Sequence, residues 1–311
     1  MSKHAYLIMA FSEYEQLKML IEMLDYPSND IYVHIDKKSP KLSVEYLKEN
    51  VVYSDIHLFR EYRIFWGHYS QAACELFLLE QALNKEYDYI HLLSGADLPL
   101  CGQQEIHRFF DENQGKEFVR YFDASFPKNS EPWIKYYHPL QKYLRISKNK
   151  AVNRSIEAIE KCLIKLQELI GINRLKNIDC QFQKGTNWFS ITGEFAKYVV
   201  GKRSWIERVF TNTRSSDEMF LQTVLCNSEY DANRFEKTYE TDGLTGIRYI
   251  DWNRGKPYTF NIQNYQELMD CGFLFARKFS ISKDRMIVEK LHDYIVEINH
   301  NSLAENEINS K

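Results

Sequence analysis

The sequence predicts an α/β fold with a mostly parallel sheet, in a single domain. Three observations carry this. Short apolar, β-branched or aromatic runs alternate with segments of helical periodicity, the pattern of βαβ units. The composition is globular, with 44% apolar and 27% charged residues. The 311 residues fit one large domain or two small ones, and neither an internal repeat nor an interdomain linker is visible.

Each element has its own signal. His4 to Ala10 is a short apolar run that reads as a buried strand. In Glu13 to Leu24, residues Leu17, Leu20, Ile21 and Leu24 recur at helical spacing. Ile31 to Ile35 (IYVHI) is a second strand that ends at Asp36, and Val51 to Phe59 a third. Ser70 to Leu83 carries Ala73, Leu76, Leu79 and Leu83 on one helical face. Tyr89 to Leu93 is a strand ending at Ser94-Gly95-Ala96-Asp97, and Gln103 to Phe110 reads as helix. Later come a strand pair around Phe182 to Ile191 and a helix from Asp217 to Cys226. Strands at Ile247 to Trp252 and Phe273 to Phe279 and a helix at Ile287 to Ile298 follow. The tail from Asn299 to Lys311 is polar and expected to fray.

The middle is different. Residues 142 to 176 hold nine Lys or Arg against three Glu, with Ile156, Ile159, Leu163, Leu166 and Ile170 at helical spacing. The plainer reading is a surface helix whose apolar stripe faces its own core and whose basic face is solvated. The sharper reading is a basic amphipathic helix beside an anionic membrane or a lipid-linked acceptor.

Charge and motifs narrow the function. A net charge of −3 argues against nucleic acid as the main partner. The 21 Tyr, 19 Phe and 5 Trp can build stacking platforms for sugars as well as cores. The apolar run at Ala5 to Phe11 is too short for a signal peptide, and no segment approaches a membrane span. The six cysteines are scattered and read as reduced, mostly buried thiols, which predicts a cytoplasmic protein. The nine histidines are dispersed and show no zinc spacing. There is no GxGxxG, no GxxxxGK[ST] and no GxSxG. No Asp-x-Asp clamp for a metal-bound nucleotide diphosphate exists. The looser pairs Glu86/Asp88, Glu229/Asp231 and Glu240/Asp242 read as surface charge.

Some residues do stand where chemistry would be placed. Ligands of open α/β sheets sit beyond the carboxyl ends of the strands, and two strands deliver Asp36 and Asp97 there. Such carboxylates can accept hydrogen bonds from a uracil imide or sugar hydroxyls; an aspartate after a strand is also an ordinary turn or cap. Glu218 lies in TRSSDEMFLQTVL, where Ser215-x-x-Glu218 has the spacing of a capping box, the reading that spacing alone favours. Arg277 and Lys278 are adjacent in an otherwise apolar strand. Two such cations are costly unless paired or met by an anion such as a diphosphate.

These segments together carry a resemblance. HAYLIMAF, IYVHIDKKS, WGHYSQAACELFLLEQAL, YDYIHLLSGADLPL, KGTNWFSITGEFAKYV, SSDEMFLQTVL, RYIDW and LFARKF, in this order, resemble glycosyltransferase family 14. That family comprises the core-2/I-branching β-1,6-N-acetylglucosaminyltransferases and the peptide O-xylosyltransferases. Residues 1–298 would form its catalytic domain, 140–178 a variable basic helical insertion and 299–311 a tail. The resemblance implies a GT-A-type Rossmann-like mixed sheet flanked by helices, a UDP-sugar donor, inversion at the anomeric carbon, and no divalent metal or other cofactor. By motif, Glu218 is the catalytic base, and Arg277 and Lys278 hold the diphosphate. Asp36 and Lys38 contact the uridine, and Asp97 lies near the ribose or donor sugar. Trp188 and Trp66 line the acceptor or sugar site. The expected product chemistry is transfer of GlcNAc, with xylose or glucose as alternatives, to a glycan acceptor that a lipid could carry. A bacterial surface polysaccharide made at the inner face of the cytoplasmic membrane would suit. The rival readings are a non-catalytic UDP-sugar or glycan-binding module on the same fold and a nucleotidyltransferase. The first would lose the base or the cations, and the second needs metal-binding carboxylates.

Overall fold

The computed structural model describes residues 2–147, 149–236 and 247–309, without the side chains of residues 177 and 306–309. Glu240 and Asp242, and Lys148 of the basic segment, lie outside the described residues.

The chain opens with β1 (His4–Ala10), α1 (Tyr14–Leu24), β2 (Asn29–Ile35), α2 (Val44–Lys48), β3 (Asp55–Phe59), α3 (Ser70–Ala82) and β4 (Tyr89–Ser94). Then follow β5 (Asp97–Pro99), α4 (Gln103–Glu112), β6 (Phe118–Val119), α5 (Glu131–Lys135) and α6 (Lys150–Leu169). The remainder is β7 (Phe189–Thr192), α7 (Gly193–Gly201), α8 (Arg203–Phe210), α9 (Phe220–Cys226), β8 (Arg248–Ile250), α10 (Tyr265–Asp270), β9 (Phe275–Arg277) and α11 (Arg285–Asn309). A six-stranded sheet has the order β3-β2-β1-β4-β7-β6, and a three-stranded sheet the order β5-β9-β8. β3, β2, β1 and β4 are parallel, whereas β7 runs antiparallel to β4 and to β6. This is the expected mixed sheet flanked by helices.

Side chains alternate across a strand, and the core divides accordingly. Tyr6, Ile8 and Ala10 of β1 face one apolar layer with α1, α4 and α11; Ala5 and Leu7 face another with α3, α7 and α9. Burial on both faces explains why β1 and β2 read as unbroken apolar runs. The fold also gathers histidines that are dispersed in sequence. His91 lies 3.2 Å from His4 and 2.8 Å from the Ser190 hydroxyl, and His107 stacks on His4. Burial pushes all three imidazoles down, His107 to about 4, so they form a neutral hydrogen-bonded core group.

Several expectations are corrected. The strand pair around Phe182 to Ile191 is one strand, β7, preceded by a loop. A Cβ on Gly185 would sit 1.6 Å from the Arg120 carbonyl oxygen, so the loop hugs neighbouring backbone. Its amides reach outside any ladder, with Gly185 N donating to Glu218 O at 2.9 Å. The polar tail does not fray at Asn299, because α11 continues to Asn309. Asn299 is buried: its side-chain oxygen accepts from Gln103 N at 2.8 Å and its amide donates to Met23 O. It thereby caps α4, whose own N-cap, Gly102, has no side chain to do so. The cysteines are free, but Cys74 alone is fully buried and Cys162 is exposed.

Candidate functional site

The parallel strands bring Asp36 and Asp97 to one edge of the sheet, but in different states. Asp36 is buried just beyond β2. It accepts from Lys38 N at 2.8 Å and faces Lys38 Nζ at 3.4 Å. Lys38 also donates to the Ile64 carbonyl and lies over the Phe65 ring. The two residues form a local turn that is already paired.

Asp97 is 1% exposed. One carboxylate oxygen accepts from Ser94 N at 2.6 Å, and the other from Arg277 Nη1 at 2.7 Å. The antiparallel register of β5 and β9 sets them directly opposite each other. The Arg277 guanidinium also lies 4.4 Å from the Trp188 ring centre. Residues 97, 188 and 277, far apart in sequence, thus meet. Asp97 spends both oxygens on Ser94 and Arg277, so it holds the arginine in place. Lys278 is half-buried and takes no ion pair among the described residues. Its charge reaches Glu13, whose burial is outweighed by hydrogen bonds from Ser282 and Ser280 and by Lys278, so that its carboxyl sits below the usual range. Arg248 in β8, not singled out from the sequence, is buried and donates to Leu92 O and Phe189 O, tying the small sheet to the large one.

Glu218 closes a 3₁₀ turn, Ser216–Glu218. The capping box does not form: Ser215 is left-handed (φ 48°) and makes no side-chain cap. Glu218 Oε2 instead faces Lys184 Nζ at 3.2 Å, with the Glu218 side chain 34% exposed and that of Lys184 10%. The Lys184 ammonium lies 3.9 Å from the Trp133 ring centre. Sequence reasoning missed Lys184, although it heads the KGTNWF segment that supplied Trp188.

Behind Glu218 lies a second, buried set of carboxyls. Asp217 accepts from Gln71 Nε2 at 2.9 Å, while its other oxygen has no partner. Burial, then the charge of Glu218, pushes its carboxyl up to about 7. Glu75, one turn after Gln71 on α3, is 1% exposed and neither oxygen has a partner among the described residues. Burial, then Asp217, raises it far above the carboxylate range, so Glu75 is a neutral acid. Gly67 (φ +66°) allows the tight approach here, its carbonyl accepting from Ser215 N at 2.7 Å. Neighbouring Trp66 is exposed, with the Arg145 guanidinium 3.6 Å from its ring centre.

One loop joins both groups: Lys184 meets Glu218 and Trp188 meets Arg277. The main chain from residue 184 to residue 188 spans at most ~14 Å even when extended. No three His, Cys, Asp or Glu among the described residues are placed to hold a metal ion. A groove of about 860 Å³ between α4 and α11, lined by Gly102, Arg108 and Tyr294 among others, holds none of the marked residues.

A model of the Core-2/I-Branching enzyme family matches residues 4–269, a span that includes the basic segment but stops short of Arg277 and Lys278. Xylosyltransferase 2 of Bos taurus is 24% identical over 299 residues, covering 90% of this chain and 32% of that protein. Xylosyltransferase oxt of Drosophila melanogaster is 22% identical over 303 residues, with coverages of 90% and 32%. The chain thus spans about a third of the length of these relatives. Mouse xyloside xylosyltransferase 1 superposes with a TM-score of 0.37 and 11% identity, over 88% of this chain and 96% of that one. By its family match the chain belongs to the core-2/I-branching family of glycosyltransferases.

Proposed function

We propose that this glycosyltransferase moves a sugar from a UDP-sugar to an acceptor hydroxyl by a single inverting displacement without a divalent metal. The observation that carries this is the loop whose Lys184 pairs with a one-third-exposed Glu218 and whose Trp188 covers an oriented Arg277. The acceptor oxygen gives its proton to Glu218 as it attacks the anomeric carbon. The bond from that carbon to the diphosphate oxygen breaks, and UDP leaves with the bonding electron pair. Charge then grows on the diphosphate, where fixed cations act most strongly. Arg277 is held for this by Asp97 and Ser94, and Lys278 is a second cation with no ion pair of its own among the described residues.

The donor sugar has two readings. GlcNAc follows from the branching-enzyme motifs, and xylose is favoured by the names of the relatives. The test is a hydrolysis and transfer screen over UDP-GlcNAc, UDP-xylose and UDP-glucose, each with excess EDTA. Release of UDP from one donor, undiminished by EDTA, is the expected result. Activity that disappears with EDTA and returns with manganese overturns metal independence. UDP binding without any turnover supports the binding-module alternative.

A further inference from the structure

Two cations meet at one tryptophan beside Glu218, and only one of them is answered by a carboxylate. The Lys184 ammonium lies 3.9 Å from the Trp133 ring centre and 3.2 Å from Glu218 Oε2. The Arg214 guanidinium lies 4.9 Å from the same ring centre, and Arg214 N donates to Trp133 O at 3.0 Å. Arg214 stands immediately before Ser215, whose carbonyl accepts from Glu218 N at 3.1 Å. The half-buried indole therefore fixes both cations around the turn that carries Glu218.

Arg214 is half-buried, and its Nε is shut away from solvent with no acceptor. Its guanidinium has no hydrogen-bond or ion-pair partner among the described residues. Asp217 is taken by Gln71, and Glu218 by Lys184. Arg174, also half-buried, shows the ordinary solution, donating to the carbonyl oxygens of Ile134, Tyr136 and Val209. A buried N–H without an acceptor is costly, and the planar fork of a guanidinium matches an oxyanion with two hydrogen bonds. An apolar ring stands in the open on the same side. Phe122 is 41% exposed, its ring centre is 5.5 Å from the Lys184 ammonium, and its amide donates to Lys184 O at 2.9 Å. Such a ring suits the C–H face of a pyranose.

We propose that Arg214 determines acceptor specificity by receiving the carboxylate of an acidic sugar, a hexuronic acid, whose ring lies over Phe122 and whose hydroxyl is presented to Glu218. The inference rests on the reading of Glu218 as the base. Lys184 is already engaged by Glu218, so Arg214 is the cation beside Trp133 that a ligand anion meets. A uronate holds its carboxylate and its hydroxyls on one rigid ring, so anion and nucleophile arrive at Arg214 and Glu218 together at little cost in freedom. An acidic peptide carries the same charge on flexible stems and pays more to be ordered. A sugar phosphate offers the same oxyanion chemistry as a uronate, and the experiment separates the two.

The test is isothermal titration of the full chain, with no donor present. The probes are methyl β-glucuronide, methyl β-glucoside, the glucoside bearing a phosphate in place of the carboxylate, and the tripeptide Asp-Ser-Asp. The glucuronide should bind roughly tenfold tighter than the glucoside. R214Q should erase that preference, and R214K, which keeps the charge but not the fork, should restore part of it. The comparison of the two sugars on wild-type protein needs no variant, so an R214Q that fails to fold leaves the test intact. Glucuronide and glucoside that bind alike, or that both fail to bind at millimolar concentration, overturn the proposal. So does an R214Q that folds and keeps the preference. Tightest binding by the phosphate or by the tripeptide overturns the uronate assignment. Hydrolysis of a UDP-sugar, measured separately, keeps the two readings apart. Hydrolysis without a glucuronide preference breaks this inference alone, and a preference without any turnover breaks the transferase reading alone.

Discussion

The two ends of the loop from Lys184 to Trp188 handle charge in opposite ways. Around Arg277 the account is closed: Asp97 takes one hydrogen bond from Ser94 N and one from Arg277, and Trp188 covers the guanidinium. Around Glu218 there are more carboxyls than cations, with Glu218, Asp217 and Glu75 close together and Lys184 the one ion-pair partner of Glu218 among the described residues. The first arrangement is a rigid cation, aligned before any ligand arrives. The second is a store of protons, in which an exposed carboxylate sits before two buried acids that burial keeps protonated well above the ordinary range. An inverting transfer needs one of each: a fixed positive charge for the leaving group and a group that accepts a proton.

The largest break in this comparison is Glu218→Gln. It keeps shape and removes proton affinity, so kcat should fall on the order of 10²-fold or more while UDP affinity stays at the wild-type value. Since Ser215 makes no cap with Glu218, no cap is lost, and any change in melting temperature reads the lost Lys184 ion pair against the relief of the charge beside Asp217. Equal loss of kcat and UDP binding would place Glu218 in donor binding instead. On the opposite side, Asp97→Ala leaves a half-buried arginine without its carboxylate. It should destabilise the fold by roughly 3 kcal/mol in chemical denaturation and raise the donor KM. Asp97→Asn, which can still accept from Ser94 N, should recover part of the stability. If both variants melt at the wild-type temperature, Asp97 does not hold Arg277 in solution.

A smaller effect with a definite sign comes from Glu75. Its folded-state proton affinity is raised by burial and by Asp217, so the native state keeps a proton that the unfolded chain releases above about pH 4.3. The native state therefore loses stability as pH rises through that range, by up to about 1.4 kcal/mol per pH unit until Glu75 itself ionises. Glu75→Gln removes this slope. The difference in unfolding free energy between variant and wild type should shift in favour of the variant by about 1–2 kcal/mol from pH 5.5 to 7. A difference that does not change with pH would mean that Glu75 is ionised in the fold.

The sheet and the ends of its strands were legible because both faces of β1 and β2 are buried, which writes the strand into composition. Asp36, Asp97 and the adjacent Arg277 and Lys278 could be named from residue type and place, whereas Glu218 as a base and Trp188 came only with the family resemblance. What could not be read was which of them touch. The Asp97–Arg277 pair exists only through the β5–β9 register, which joins segments 180 residues apart and leaves no local trace. Glu75 sits in CELFLLEQA, where a glutamate looks like the wet side of a helix; α3 is buried on nearly all sides, so its wet side is dry. Lys184 carries no local signal of its own; only the fold sets it beside Trp133 and Glu218. The helix α7 was missed because Thr192 ends β7 and also caps α7, accepting from Phe195 N, so no turn signal separates them. In α6 the period was read correctly but not its direction, since buried hydrogen bonds of Glu160 and Gln167, not apolar burial, fix the helix.

The smallest expected effect bears on whether the two sides act separately. Trp188 contributes a cation–π contact to Arg277, worth about 0.5–1 kcal/mol in a partly exposed site. Trp188→Ala should therefore raise the donor KM roughly fivefold at most and leave kcat nearly unchanged. Lys184, four residues earlier, holds the opposite side through the same loop, so the decisive measurement is UDP binding in the Glu218→Gln background. Sites without shared partners add within about 0.5 kcal/mol. If Trp188→Ala weakens UDP binding by the same factor with Glu218 or Gln at position 218, the loop is a passive spacer between two independent half-sites. A factor that differs by more than about twofold would mean that the loop from Lys184 to Trp188 transmits occupancy of the cation side to the base.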